Sequence, residues 1–185
     1  VVASVGNEGV EAALYPAAYE GVVGVGAVDA RGRHLYFSNR GDAVDITAPG
    51  LGLSAARADE GTGLFSGTSA AAPLVAGAVA KLRGEKPLEE DTVLLDKLWQ
   101  SSNDEGAPGG DAEYGKGILN LERLDTPPEQ NVYDAAARNP YLAVTGDAPG
   151  SIYVVAGVEN RGTRALDGVV LAVEVNGSES SREFG

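Results

Sequence analysis

The stretch Gly67-Thr68-Ser69-Ala70-Ala71-Ala72-Pro73 marks a change from a sheet-and-loop pattern to a helical one. Residues 62–66 form a short mixed run bounded by glycines, which predicts a strand or one arm of a hairpin. From Ala70 onward the chain is rich in alanine, which favours helix, and Pro73 is expected in the first helical turn, where an N–H has no partner anyway. Ser69 lies at this junction, where a serine is most often an N-cap.

Three other kinds of site use glycines in a comparable pattern, and the residues exclude each of them. A phosphate-binding P-loop requires a lysine before its Ser/Thr, and residues 61–69 contain none. The nucleophile elbow of α/β-hydrolases requires a glycine two residues after the serine, where this chain has Ala71. A dinucleotide fingerprint beginning at Gly24 would place its third glycine where Asp29 stands.

The composition describes a globular chain with an acidic surface. Of the 185 residues, 43% are hydrophobic and 22% are charged, which is sufficient for a packed core. The net charge of −13, without a basic stripe, gives no electrostatic support for nucleic-acid binding. Cysteine is absent, which excludes disulfides, and no apolar run is long enough to span a bilayer. Because Val1 opens directly on a strand-like run, we expect the chain to begin inside a domain.

Short segments along residues 1–124 resemble landmarks of the subtilisin-like serine proteases and occur in that family's order. Asn7 precedes Ser69 by 62 residues, which is close to the family's spacing. The matching segments are Gly6-Asn7-Glu8-Gly9, Tyr15-Pro16, Phe37-Ser38-Asn39-Arg40-Gly41, Ala48-Pro49-Gly50, the stretch around Ser69, and Tyr114-Gly115-Lys116-Gly117-Ile118-Leu119-Asn120.

The resemblance implies an α/β fold, with a mostly parallel sheet between helices, and a serine endopeptidase mechanism. Ser69 would attack the substrate carbonyl, while its own backbone N–H and the side-chain amide of Asn7 would hold the oxyanion. In this family the aspartate and the base histidine precede the asparagine, so both are expected upstream of Val1. The chain alone is therefore expected to be inactive. The histidine and aspartates inside the chain lack the sequence context of the family's base and orienting aspartate, and so are not assigned these roles. They are His34, Asp29, Asp42 and Asp45. We interpret that histidine as a partly exposed loop residue.

The resemblance also assigns a specificity pocket and a weak cation site. The pocket is formed by the strand before the asparagine and by the tyrosine–proline turn, through Ser4, Val5, Gly6, Leu14 and Ala17. A calcium or sodium ion is expected on backbone carbonyls and one carboxylate, from Ala17, Tyr19, Val22 and Asp45. No other cofactor is required. A peptide or protein substrate, a propeptide partner and an extracellular or cell-envelope location are implied as well.

After Ser69 the sequence predicts helices, followed by a change of period. The first helix is expected to end at Gly84, the second to follow Pro87 over residues 88–101, and a last helical turn to lie at residues 121–124. Residues 125–150, with paired prolines, are predicted to be a linker. The β-branched runs 152–158 and 169–175 predict a hairpin that opens an accessory β-sandwich-like domain over residues 151–185.

Two functions of other classes remain open from the sequence. The protein could be a pseudoprotease that binds peptides without cleaving them, which a replaced upstream histidine or aspartate would reveal. Alternatively, its role could lie in the β-rich segment as an adhesion or carbohydrate-binding module.

Overall fold

The computed structural model describes residues 1–125, apart from residues 13 and 108, together with a set of strand segments in the remainder of the chain. Those segments are 135–137, 141–144, 152–155, 158–160, 168–175 and 178–184. Backbone contacts divide the chain into two compact units, Val1–Thr126 and Pro127–Gly185.

The first unit is built on a three-stranded parallel sheet. Its strands are β1 (Val2–Ser4), β2 (Val23–Val28) and β3 (Ile46–Pro49), in that spatial order. All six residues of β2 are buried, as expected for a central strand that is covered on both faces. Together with the helices that pack on it, this sheet confirms the predicted α/β fold.

A two-stranded antiparallel hairpin connects the sheet to the helix that follows. Its strands are β4 (Leu53–Ala56) and β5 (Thr62–Phe65), with Leu53 opposite Phe65. The second strand confirms the hairpin arm predicted for residues 62–66. The hairpin therefore delivers the chain from the end of the sheet to Gly67.

The first helix, α1 (Thr68–Glu85), is longer than predicted at both ends. It begins two residues before Ala70, so Pro73 is its sixth residue rather than a first-turn residue, and Pro73 leaves the Ser69 carbonyl without its intrahelical donor. The helix also continues through Gly84 and ends at the C-cap Lys86, whose N–H donates to the Leu82 carbonyl.

The second helix, α2 (Asp91–Ser101), begins three residues later than predicted. The guanidinium of Arg83 donates to backbone carbonyls of the connection, including those of Lys86 and Pro87, and it pairs with Asp91. These bonds hold residues 86–90 as a loop around Arg83, so the helix starts later than predicted. The pattern of residues 88–101 alone does not indicate these bonds. A short helix, α3 (Leu121–Asp125), confirms the predicted last helical turn.

The main core lies between α1 and the sheet. The buried residues Ala71, Val75, Ala78 and Leu82 recur along α1 at helical spacing. Burial of a side chain such as Leu82 contributes about 1.5–3 kcal/mol. The other buried members of this core are Val23, Val25, Ala27, Leu35, Ile46, Ala48, Leu94, Leu98 and Leu124, with Trp99 partly buried against them.

The second unit contains strand pairs whose partners differ from the prediction. The pairs are β6 (Ala135–Ala137) with β9 (Val158–Asn160), β7 (Tyr141–Val144) with β8 (Ile152–Val155), and β10 (Val169–Val175) with β11 (Ser178–Phe184). The predicted hairpin between residues 152–158 and 169–175 is therefore wrong. The sequence between β10 and β11 is Asn-Gly, a dipeptide that favours two-residue hairpin loops and therefore signals the pairing of these two runs.

Two strands, β6 and β7, lie within the range predicted as a linker. Residues 126–134, 138–140 and 145–150 of that range are outside the described residues. The β-sandwich architecture of the accessory segment stays a prediction. Across the part of the chain that the structure describes, no helix combines the length and apolar character needed to cross a bilayer.

Candidate active site

Ser69 is the second residue of α1, and its side chain is exposed. The N-cap position is occupied by Gly67, which has no side chain to cap the helix. Among the described residues, none forms a hydrogen bond with the Ser69 hydroxyl. Ser69 is therefore not the N-cap of α1, and its hydroxyl is available for chemistry.

The turn that presents Ser69 depends on two glycines. Gly67 adopts φ 136°, in the region that favours glycine, and its N–H donates to the Gly50 carbonyl at 2.8 Å. A Cβ on Gly50 would lie 2.6 Å from the Ala27 Cβ and 2.9 Å from the Gly67 carbonyl oxygen. The turn is thus held against the ends of β2 and β3, and a larger residue at either glycine would displace it.

Asn7 lies in the turn after β1, and its side chain reaches the start of α1. Its Oδ1 accepts hydrogen bonds from the Thr68 N–H at 2.8 Å and from the Thr68 hydroxyl at 3.0 Å. An N–H can only donate, so the oxygen of the amide must face Thr68. The Nδ2 group points away from that contact and has no hydrogen-bond partner among the described residues.

Two donors without partners therefore lie at the start of α1, on either side of Gly67. One is Nδ2 of Asn7, and the other is the Ser69 N–H, which has no intrahelical acceptor because it belongs to the first turn. Nδ2 of Asn7 and the Ser69 nitrogen lie 3.5 and 3.7 Å, respectively, from the point where a Cβ on Gly67 would stand. The partial positive charge of the α1 N-terminus adds to both. The site is arranged to receive a negatively charged oxygen.

Two residues of this site have no role in the sequence analysis. Thr68 is fully buried and binds Asn7 through both its N–H and its hydroxyl. Asn39 is also fully buried and bonds to the turn that carries Asn7. Asn39 was part of a landmark segment, but only the folded chain brings it within reach of residues 5–10.

The residues predicted to form the specificity pocket are divided among three environments. Ser4 and Ser69 line a cavity of about 540 Å³. Leu14 lies against Gly6, because a Cβ on Gly6 would be 2.7 Å from Leu14 Cδ1. Two other pocket residues, Val5 and Ala17, are buried in a small apolar cluster. The remaining residues that line the cavity are Val2, Ala3, Pro16, Ala72, Pro73 and Ala76.

Of the residues predicted to bind a cation, Asp45 contributes the only charge. Its Oδ2 accepts a hydrogen bond from the Gly24 N–H at 2.7 Å. Burial raises the pKa of Asp45, while the Gly24 hydrogen bond and the nearby Lys116 charge act in the opposite direction. The carbonyl of Tyr19 accepts the Val22 N–H at 3.1 Å, which leaves one of its lone pairs free. No group of three or more His, Asp or Glu residues suited to a metal occurs within the described residues.

His34 lies against Tyr114 rather than in the candidate active site. The two rings form an edge-to-face contact with centroids 6.0 Å apart. The residue is half-buried, and its Nε2 is fully buried without a hydrogen-bond partner. Burial lowers the pKa of His34. Asp29 binds Arg33 in its own turn. No described histidine or carboxylate is hydrogen-bonded to Ser69.

Comparison with known proteins identifies a family for this chain. The model of the subtilase family matches residues 1–117. Subtilisin of Bacillus pumilus is 32% identical over 126 residues, which cover 66% of this chain and 45% of that protein. The minor extracellular protease Epr of Bacillus subtilis (strain 168) is 33% identical over 127 residues, covering 68% of this chain and 20% of that protein.

Among solved structures, the prenylagaramide maturation protease PagA superimposes with a TM-score of 0.57 at 32% identity. The match covers 66% of this chain and 48% of that chain. The chain thus spans less than half the length of each of these three relatives. With its parallel sheet, its exposed serine at a helix N-terminus and a family match over residues 1–117, the chain belongs to the subtilase family of subtilisin-like serine proteases.

Proposed function

We propose that this chain supplies the nucleophile and the oxyanion donors of a serine endopeptidase. The observation that carries the proposal is the 2.8 Å hydrogen bond from the Thr68 N–H to Asn7 Oδ1. That bond holds an amide donor beside an exposed serine, although the two residues it joins are 61 positions apart. Hydrogen-bond donors without partners, at the same helix start as a serine hydroxyl without one, favour a catalytic protease over a pseudoprotease that only binds peptides.

The proposed chemistry begins with attack of the Ser69 oxygen on a peptide carbonyl. As the bond forms, the Ser69 proton passes to a histidine and the carbonyl oxygen becomes negative. Asn7 Nδ2 and the Ser69 N–H donate to that oxygen, which they meet only as its charge develops. Collapse of the intermediate expels the amine, which takes the proton from the histidine, and water then hydrolyses the ester to Ser69. The histidine and its aspartate come from outside residues 1–185.

The proposal extends to specificity. Leu14 packs against Gly6, in the turn that precedes Asn7, and its side chain is partly exposed. With Leu14 at the base of the pocket, the enzyme prefers medium-sized apolar side chains before the scissile bond. A peptide library cleaved by the complete protein after lysine or arginine would contradict this preference.

A weak calcium or sodium site is proposed at the carbonyls of Ala17, Tyr19 and Val22 with the carboxylate of Asp45. All four proposed ligand atoms are oxygens, which hard cations prefer. Burial raises the pKa of Asp45, so a bound cation would stabilise its ionised carboxylate. A single carboxylate keeps the affinity low. Titration calorimetry at millimolar calcium should detect heat in the parent chain and none in Asp45→Asn.

We further propose that the whole protein acts on peptides or proteins in an extracellular or cell-envelope location, with a propeptide as a further partner. The name of the Epr relative, a minor extracellular protease, supports that location. The name of PagA, a maturation protease, supports a peptide substrate.

The test uses the complete protein, including the histidine and aspartate. Ser69→Ala should abolish covalent labelling by a fluorophosphonate, and Asn7→Ala should lower kcat while KM changes little, because its donor meets charge only in the transition state. The expected fall in kcat for Asn7→Ala is about 10²–10³-fold, which is the effect known for this donor in the subtilase family. Labelling that survives Ser69→Ala, or an Asn7→Ala variant that alters only KM, would refute the assignments. Peptide binding without labelling of the parent would favour the pseudoprotease.

A further inference from the structure

We propose that Asn39 is a positioning residue for the oxyanion site, which holds the turn at residues 5–10 so that the Asn7 amide points at the reacting oxygen. The proposal rests on the proposed function, because it concerns the geometry of the same donor. Asn39 itself contacts neither Ser69 nor the cavity beside it; it acts through Asn7.

The side-chain amide of Asn39 uses its full hydrogen-bonding capacity on that turn. Its Oδ1 accepts the N–H groups of Glu8 at 3.1 Å and Val10 at 3.2 Å. Its Nδ2 donates to the Val5 carbonyl at 3.1 Å and to Glu8 Oε2 at 2.8 Å. A flipped amide would set donor against donor, so only one orientation satisfies these partners. The amide thus ties together the residues on both sides of Asn7.

Gly6 connects Asn39 to Asn7 through the backbone. The Gly6 carbonyl accepts the Asn39 N–H at 3.1 Å, and at 3.3 Å from the Thr68 hydroxyl it shares that group's single proton with Asn7 Oδ1. A Cβ on Gly6 would lie only 2.5 Å from Asn39 Nδ2, so the close approach requires glycine. The peptide that leads into Asn7 is therefore held by Asn39 on one side and by Thr68 on the other.

Asn39 is in turn anchored to the central sheet. The neighbouring Ser38 is buried, and its hydroxyl accepts the Ala27 N–H of β2 at 3.1 Å and donates to the Asn39 carbonyl at 3.2 Å. The Arg40 N–H adds a bond to the Val10 carbonyl at 3.1 Å. A continuous set of hydrogen bonds thus runs from β2 through Ser38 and Asn39 to the turn that presents Asn7.

This arrangement predicts a catalytic effect distinct from a loss of stability. Without the Asn39 amide, the turn loses its ties to Val5, Glu8 and Val10, while Thr68 still binds Asn7 Oδ1. The amide of Asn7 then shifts with the turn while its Oδ1 stays bonded to Thr68, and its Nδ2 leaves the position that the oxyanion needs. A misplacement on the ångström scale costs up to about 10²-fold in rate.

The experiment is a double-mutant cycle in the complete protein, with active enzyme counted by fluorophosphonate titration so that unfolded molecules do not enter kcat. Asn39→Ser should lower kcat about 10- to 100-fold with KM nearly unchanged. In the Asn7→Ala background the same substitution should change kcat less than about twofold, since the donor it positions is gone. Asn120→Ala is the matched control, because Asn120 also has a bonded amide, shared with Asn103 and Arg123, and has no such bond to the turn.

If Asn39→Ser does not fold, Glu8→Ala replaces it, because Glu8 is exposed and its carboxylate supplies one of the four bonds of the Asn39 amide. Its kcat should fall about threefold, and only while Asn7 is present. Equal losses in both backgrounds, or no loss in either, would overturn the role of Asn39 alone. An unchanged kcat in Asn7→Ala would instead overturn the oxyanion assignment itself, and the role of Asn39 with it.

Discussion

Asn7 and Asn39 carry the same side-chain amide, and the fold uses the two amides in opposite ways. Asn39 is fully buried, and every donor and acceptor of its amide has a partner. Asn7 is exposed, and only its oxygen is bonded, to Thr68. A saturated amide has no donor left for a substrate and can act only through the groups it holds, whereas a half-bonded and oriented amide keeps a donor for a charge that appears during a reaction.

The largest effect is expected from Asn7→Asp in the complete protein. The carboxylate keeps the acceptor that binds Thr68 but replaces the free donor by a negative oxygen, so kcat should fall at least as far as in the alanine variant, about 10²–10³-fold. The negative charge at the α1 N-terminus should leave the free energy of unfolding unchanged or raise it by up to about 1 kcal/mol. Kinetics and urea unfolding of the same preparation measure both quantities.

If the free energy of unfolding fell by as much as the activation free energy rose, the Asn7 amide would act by holding structure and not by donating to the substrate. The contrast between the two asparagines would then be lost. Asn7→Ala serves as the reference, because it removes the donor and the acceptor together.

An intermediate effect is expected from Gly67→Ala, which tests the turn between the two donors. The added Cβ would meet the Asn7 amide at an ordinary 3.5 Å, so the cost comes from the backbone at φ 136°. Such strain destabilises by about 1–3 kcal/mol. Gly77→Ala is the matched control, since Gly77 lies within α1 with nothing within 4 Å of the added methyl, and it should stabilise by about 0.5–1 kcal/mol. Urea unfolding that ranks the two variants in the opposite order would show that the turn is not strained.

The smallest effect concerns His34, a buried polar group that, unlike Asn39, has an atom without a partner. Burial holds its pKa below the ordinary value of 6.5, so the folded chain binds fewer protons than the unfolded chain. Stability is therefore fully present above that value and decreases as the pH falls toward the folded pKa. Denaturation midpoints over about pH 5–8 should decline on the acid side. The decline should be weaker in His34→Gln, and an equal decline in both proteins would exclude His34 as its source.

Local patterns were sufficient for several elements of the fold. The alanine-rich run after Ser69 and the β-branched run of β10 carry their periods in adjacent residues, and both elements are present. Local patterns were not sufficient to predict where helices begin or which strands pair. The start of α2 at Asp91 follows bonds from Arg83 to the connection between the helices, and β8 pairs with the nearer strand β7 rather than with β10, a choice that the β-branched runs alone do not indicate.

The sequence by itself determined which residue types stand at the candidate site and in what order, because a serine before a small-residue helix and an asparagine after a strand are local features. The tertiary structure decided that Asn7 Oδ1 faces Thr68, that its Nδ2 stays free, and that Asn39 holds the turn from 31 residues away in sequence. Those contacts arise from the parallel register of β1 and β2 and from the packing of α1 on the sheet, and hydrogen bonds over such separations exist only once that packing has formed.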